Sequence, residues 1–441
     1  MKLNQFKLIK LTSAPVGVSP VQRRNFINVQ IDAIGIGLAS AAAPFLPVFL
    51  TRLGASNFQV GLLTSMPALT GLVMALFVGR FLQARPRIVP WFSSARLMVV
   101  SSYALTGLVT LLIPASQRVN AVLLIWAVAT LPQTILAVSF SVVMNAVAGP
   151  KHRYELMSRR WSILGLTTAI TVAIVGQVLD NLDFPINYQL VFIGLSAGGL
   201  ISYYFSSHIE LPERIPPVQV PGVSWRERFR EYAELVLKEK DFVRFVIQRF
   251  VFLSGTMLSV PLFPLYYVRQ VDASDAWIGF INTSQAAVLL IGYFIWTRTS
   301  RLRGSRFVIL WTTFGLAFYP ALVASTQRVE LIAIIAGLAA IFQAGLDLVF
   351  FDELMRTVPE EYSAVFVSLA QSIQHLSAVL APLLGTWIAN HIGLAGALLV
   401  SSGIRLTGFA LFAWWKGGEI FQAISKAIPI TNPEPPNETQ E

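Results

Sequence analysis

Of the charged side chains inside the long apolar runs of this 441-residue chain, three could do chemistry: Asp32, Arg249 and Asp347. Desolvating an ionised group there is costly, so each marks a solute or proton pathway, a counter-ion or a buried pair. An arginine stays protonated and must meet a carboxylate, an anion or water. A carboxylate in the same setting can carry a proton. Neutral hydrogen-bonding groups accompany them. Gln343 lies four residues before Asp347, on the same helical face. Gln371, Gln374 and His375 share another face, and Gln133, Ala137, Ser141 and Asn145 make a small polar stripe. Such groups bind a polar solute; any one of them taken singly serves equally to glue neighbouring helices together. Covalent chemistry is absent from the pattern. There is no cysteine, the four histidines (152, 208, 375 and 391) have no ligand spacing, and neither HExxH nor GxxxxGK[ST] occurs. No catalytic activity, metal or cofactor is expected.

The elements that must position these residues follow from composition. The chain is 55% hydrophobic and 13% charged, with mean hydropathy +0.63. Soluble domains carry roughly 25% charged residues, so much of this surface must face lipid. A bilayer span needs about 20 apolar residues. Twelve segments qualify: 26–50, 58–79, 93–113, 119–148, 161–179, 187–208, 242–268, 276–296, 307–327, 329–351, 362–389 and 394–415. The first is too long for the apolar part of a cleavable signal. An all-α membrane protein is predicted, with twelve transmembrane helices.

Twelve spans put both termini on one side. The tails and loops of that side hold 25 of the 33 Lys and Arg residues, and the opposite loops hold only Arg52, Arg118, Arg269 and Arg328. The positive-inside rule therefore places both termini in the cytoplasm and accounts for the net charge of +10 without nucleic acid as a partner. The N-tail is 1–25 and the C-tail 416–441, with 427–441 expected to be disordered. In the long loop 209–241, Trp225, Phe229, Tyr232 and Val236 fall on one face of an expected amphipathic helix, amid Arg226, Arg228 and Arg230. That helix suits the anionic surface of membrane lipids or packing on the protein itself. Arg96 near the end of its span is expected to snorkel to the interface, and Arg405 in the last span to have a structural partner.

The two halves repeat. Pro44, Pro47 and Arg52 recur as Pro261, Pro264 and Arg269 at an offset of 217; Ala55, Ser56 and Gly61 recur as Ala273, Ser274 and Gly279 at 218. Gln117-Arg118-Val119 and Gln133 recur as Gln327-Arg328-Val329 and Gln343 at 210. This ordered series predicts two pseudo-symmetric six-helix bundles, 26–208 and 242–415. Parallel repeats are a known transporter architecture. Asp32 and Arg249 align at 217, and contact between Arg249 and Asp32 or Asp347, directly or through water, is expected.

The stretch Ala43-Pro-Phe-Leu-Pro through Leu53-Gly-Ala-Ser and Gly61, the twelve spans and the basic turn after span two resemble major facilitator superfamily (MFS) permeases. The resemblance implies alternating access to a cavity lined by spans one, four, seven and ten. That makes Asp32, Arg249, Asp347, Gln133, Gln343, Gln371, Gln374 and His375 candidates for the substrate or proton pathway. It also implies gating turns at Gly79, Arg80, Arg85 and Arg87, repeated at Arg298, Arg301 and Arg303. Gln83 and Arg301 stand where the family's turn carries an acidic residue. The expected function is secondary active transport of a small solute across the cytoplasmic (inner) membrane by a monomer, with a proton or other ion coupled. The alternative is a non-transporting sensor or assembly factor of the same fold. Reporter fusions at Gly54, Gln117 and Asp183 should report the outside, and fusions at Arg85 and Pro217 the inside. The inverse pattern rules the topology out.

Overall fold

The computed structural model describes residues 14–15, 17–213, 238–358 and 363–414. The expected amphipathic helix at 225–236 and the C-tail lie outside them. The helices are α1 (Pro20–Ser40), α2 (Phe45–Arg52), α3 (Asn57–Gln83), α4 (Val89–Leu112), α5 (Ala115–Asp180), α6 (Ile186–Ser207), α7 (Lys240–Ser259), α8 (Leu262–Arg269), α9 (Asp275–Arg303), α10 (Ser305–Ala324), α11 (Val329–Thr357) and α12 (Ser363–Trp414). No strand occurs among the described residues.

Local sequence sets the breaks. Pro44 and Pro261 have no N–H to give the preceding turn, and each starts a separate eight-residue helix, α2 and α8, that closes on an arginine. Ser56 caps α3 in a reciprocal box with Gln59, and Ser274 caps α9 by accepting from the Trp277 amide. The repeat is therefore visible as repeated punctuation. α5 and α12 run to 66 and 52 residues, far beyond one span, and each is broken at a glycine: Gly149 (φ 63°) and Gly393 (φ 80°). Only glycine takes this left-handed backbone without steric cost. The segment 149–160, expected as a loop, is helical on either side of that break. Among the described residues, eleven runs are long and apolar enough to cross a membrane, the last of them, Leu369–Trp414, containing the Gly393 break. The protein is a multi-pass membrane protein.

In residues 20–207 (the first half), α1 packs on α5 and α6, α4 on α5 and α6, and α3 on α5; in residues 240–414 (the second half), α7 packs on α12, α9 on α11, and α10 on both α11 and α12. Three packings join the halves: α3 with α12, α5 with α9, and α2 with α8. Aromatic rings fill the core, among them Phe45, Phe49, Tyr188 and Phe192 in the first half and Phe252 and Phe366 in the second. Leu112 and Phe294, 81% and 79% exposed, stand on the outer surface, where lipid replaces water.

The α1–α6 seam is unusually close. A methyl on Gly35 would lie 2.6 Å from the Gly198 carbonyl oxygen, and one on Gly198 would lie 2.6 Å from that of Gly35. Lipid tails are as apolar as the helices, so close packing of small residues is what holds such a seam. Gly198→Ala should lower stability by about 1–3 kcal/mol, as overpacking does, whereas Leu112→Ala should change it by less than about 0.5 kcal/mol. Thermal unfolding of the purified protein in detergent checks both, and equal effects would refute the tight seam.

Candidate functional site

The halves are clasped at the end of the helices opposite the described chain ends, here called distal. Arg52, at the C-terminus of α2, donates through Nε and Nη2 to Asp275 Oδ1 (3.2 and 3.0 Å) and through Nη2 to the Ala273 carbonyl (3.0 Å). Arg269, at the C-terminus of α8, donates to Asn57 Oδ1 (2.6 Å) and to the Ala55 carbonyl. Ala55 and Ala273, like Asn57 and Asp275, differ by 218 in number. The clasp is thus one contact made twice, each arginine reaching over the start of the other half's next helix. Each guanidinium lies near the negative end of its own helix, and Asp275 lies at the positive end of α9. The repeat copies the geometry but not the charge. Tyr188 also donates to Asp275 (2.5 Å), while Asn57 donates to Asn390 (2.7 Å). Further in, Thr283 donates to the Ala169 carbonyl (3.2 Å), and Gly61 leaves room for Thr386.

Asp32 and Arg249 do not meet. Asp32 is fully buried within the first half, paired with Arg96, accepting from Ser202 (2.5 Å) and lying 3.8 Å from Arg160. Arg96 does not snorkel: it is 2% exposed. Arg160, read from sequence as a loop cation, is 3% exposed and lies over the Phe140 ring at 4.7 Å. Arg249 donates to Gln374 Oε1 (2.6 Å) and faces the Phe350 ring at 5.8 Å; its Nε and Nη1 have no partner. Arg249 makes no direct contact with Asp32 or Asp347 among the described residues. Residues related by an internal repeat occupy equivalent places in their own halves, so each is taken up there rather than facing the other across the interface.

Gln343 and Asp347 do come together. Gln343 Nε2 donates to Asp347 Oδ1 (2.7 Å), and Tyr293 donates to Oδ2 (3.1 Å). No cation pairs with Asp347 among the described residues. Gln343 also lines a cavity of about 260 Å³ within the second half, with Gln285, Tyr319, Phe263, Ser259 and Arg405. Gln133 is partly exposed and makes no hydrogen bond among the described residues, and Ser141 and Asn145 are exposed. Gln371 is exposed, and His375 lies 3.7 Å from where a methyl on Gly71 would sit, between α3 and α12. The arginines of the turns are exposed. Arg85 stacks on Phe81 and Trp91, Arg87 pairs with Glu213, and Arg303 lies over Phe307, each within its own half; Gly79 borders open space, and Arg80, Arg298 and Arg301 are likewise exposed.

Sequence reading passed over several contributors. Arg52 and Arg269 were visible only as markers of the repeat, and carrying the 218 offset on to Asn57 and Asp275 gives the clasp. Arg160, Tyr188, Tyr293 and Tyr319 had no such signal, because only packing brings them to their partners. The burial of Asp32 and Arg96 carries an expectation. Removing one partner of a buried pair costs about 3–5 kcal/mol, so Arg96→Met or Asp32→Asn should sharply lower thermal stability in detergent. Arg249→Gln, which loses a single bond to a neutral acceptor, should cost about 1–3 kcal/mol. The reverse ranking would contradict the pairing.

The matching family model is the Major Facilitator Superfamily, over residues 33–239 and 245–440. No curated protein matches in sequence. Among solved structures, the chain is similar to the nucleoside transporter NupG at TM-score 0.65 and 12% identity, covering 90% of this chain and 100% of that one. It is similar to a bacterial homologue of the iron transporter ferroportin in an inward-facing state at 0.69 and 14%, covering 89% and 98%. A bacterial homologue of the lysosomal transporter Spinster, inward-facing and unoccupied, matches at 0.63 and 14%, covering 93% and 96%. These likenesses concern the fold. With family matches covering most of both halves, this membrane chain belongs to the Major Facilitator Superfamily.

Proposed function

We propose that the protein is a secondary active transporter that moves a small solute across the cytoplasmic membrane by alternating access. In this reading twelve spans form two six-helix bundles, 26–208 and 242–415, with both termini cytoplasmic. The Gly393 break supports the twelfth span by dividing α12 in two. The three joining packings support two bundles, because α3–α12 and α9–α5 pair repeat-related helices in exchanged roles.

The observation that carries the proposal is the double arginine clasp. It joins the halves by hydrogen bonds at helix ends, beside an apolar core that runs through both halves. Hydrogen bonds at helix ends can exchange while the helices stay intact, and rocking one bundle against the other requires such an exchange. In this reading the clasp closes the external end, and the solute path is reached from the cytoplasm. Asp347, held by Gln343 and Tyr293 without a cation, is the candidate proton carrier.

The absence of cysteine makes a direct test available. Asn57→Cys with Asn390→Cys should form a disulfide that holds the external end shut. A membrane-impermeant maleimide should reach Gln343→Cys from both sides of the membrane in the unlocked protein, and from the cytoplasmic side alone once the disulfide has formed. One-sided labelling in the unlocked protein would refute alternating access and favour a static, non-transporting role.

A further inference from the structure

Arg405 sits in the second half, 3% exposed, with no carboxylate partner among the described residues. Its Nη1 donates to the Leu316 carbonyl (3.0 Å) and its Nη2 to Ser259 Oγ (2.6 Å), both neutral acceptors; its Nε has no partner. A guanidinium is fixed in charge, and burying it without a counter-charge is strongly unfavourable. The residue therefore holds a positive charge that the protein itself does not neutralise.

The surroundings are those of a binding site. Arg405 opens on the 260 Å³ cavity, whose other polar walls include Thr256, Ser259, Gln285, Gln343 and Tyr319. Gln285 Nε2 donates to the Tyr319 hydroxyl (3.2 Å), and that hydroxyl lies 3.5 Å from the hydroxyl of Tyr267. The Phe263 and Tyr319 rings lie 4.9 Å apart, near 31°, and form an apolar flank. Asp347, the carboxylate that Gln343 contacts, is engaged by Gln343 and Tyr293 and is not part of the cavity lining. Arg249, deeper in α7 than the Asp241-paired Arg244, likewise meets no carboxylate among the described residues. The first half differs, since Asp32 there stands between Arg96 and Arg160.

We infer that this cavity recognises the anionic group of a small organic anion, a carboxylate or a phosphate ester, with Arg405 as the charge partner and Gln285 and Gln343 as orienting hydrogen-bond donors. This deepens the transport reading, on which it rests, by naming the chemical class of the solute. Charge-assisted bonds to arginine are stronger than neutral ones, and in a cavity this small an uncharged isostere would leave the cation unmatched. Discrimination between an anion and its amide or alcohol follows from that mismatch, as it does wherever a site's buried polar group is left unpaired.

The test is thermal stabilisation of the purified full-length protein in detergent, since a ligand that binds the folded state raises its apparent stability. The probes are matched pairs: benzoate with benzamide, pentanoate with pentanamide, and glycerol 3-phosphate with glycerol. At least one anion should stabilise saturably while its neutral partner does not, and the carboxylate and phosphate pairs separate the two headgroups. Arg405→Gln should weaken that anion at least tenfold, and Arg405→Lys should weaken it less. Should Arg405→Gln not fold, Gln285→Leu, which keeps the guanidinium and its two existing bonds, is expected to weaken the anion several-fold. Equal stabilisation by neutral partners overturns the inference, and so does stabilisation by no member of the set or an Arg405→Gln variant that binds the anion unchanged. Each of these leaves the transport reading standing, because two-sided labelling of Gln343→Cys is read without any ligand.

Discussion

A guanidinium inside a bilayer protein cannot rely on bulk water, and where each one finds its acceptor organises this molecule. Arg96 meets a carboxylate and fixes α4 to α1. Arg160 adds a second cation beside the same Asp32 and lies over an aromatic ring. Arg249 and Arg405 meet neutral oxygens instead. Arg52 and Arg269 cross from one half to the other. The first half thus gains an internal strut, the second keeps charge unspent, and the boundary between them gains its fastening.

Duplication explains the shape of that fastening more readily than its chemistry. Repeated prolines end α1 and α7 at matching points, repeated serines cap α3 and α9, and repeated arginines fall on the last turn of α2 and α8. Backbone geometry has been copied. Electrostatics has not, because Asp275 collects bonds from Arg52 and Tyr188 where Asn57 exchanges them with Arg269 and Asn390. One side of the boundary is an ion pair with a buried phenol, and the other is a chain of neutral amides ending on a guanidinium.

The long-period features were legible in the sequence because each has a local cause. Apolar run length gives the spans, proline and serine give their ends, and the i, i+4 spacing of Gln343 and Asp347 gives their contact. What was misread depends on direction around a helix axis. Asp32 and Arg249 were placed at the right depth, but depth does not say which neighbour a side chain meets. Arg160 was assigned to a loop because a basic residue near Gly149 reads as a turn, whereas the helix resumes before it. Arg405 was expected to have a structural partner. It has two, and neither neutralises it.

The α1–α6 seam has a mechanical consequence. A backbone contact with no room for even one added carbon leaves nothing to compress, so the two helices transmit torque rather than absorb it. The first half is stiff along this seam, so a tilt about the distal clasp would be carried along its helices. The 27 residues of α3 give such a tilt an arm of about 40 Å at 1.5 Å per residue, and a tilt of about 10° sweeps its far end through roughly 7 Å. A small change of angle at the clasped end is thereby magnified, over the length of the helix, into a displacement of several ångströms at the other.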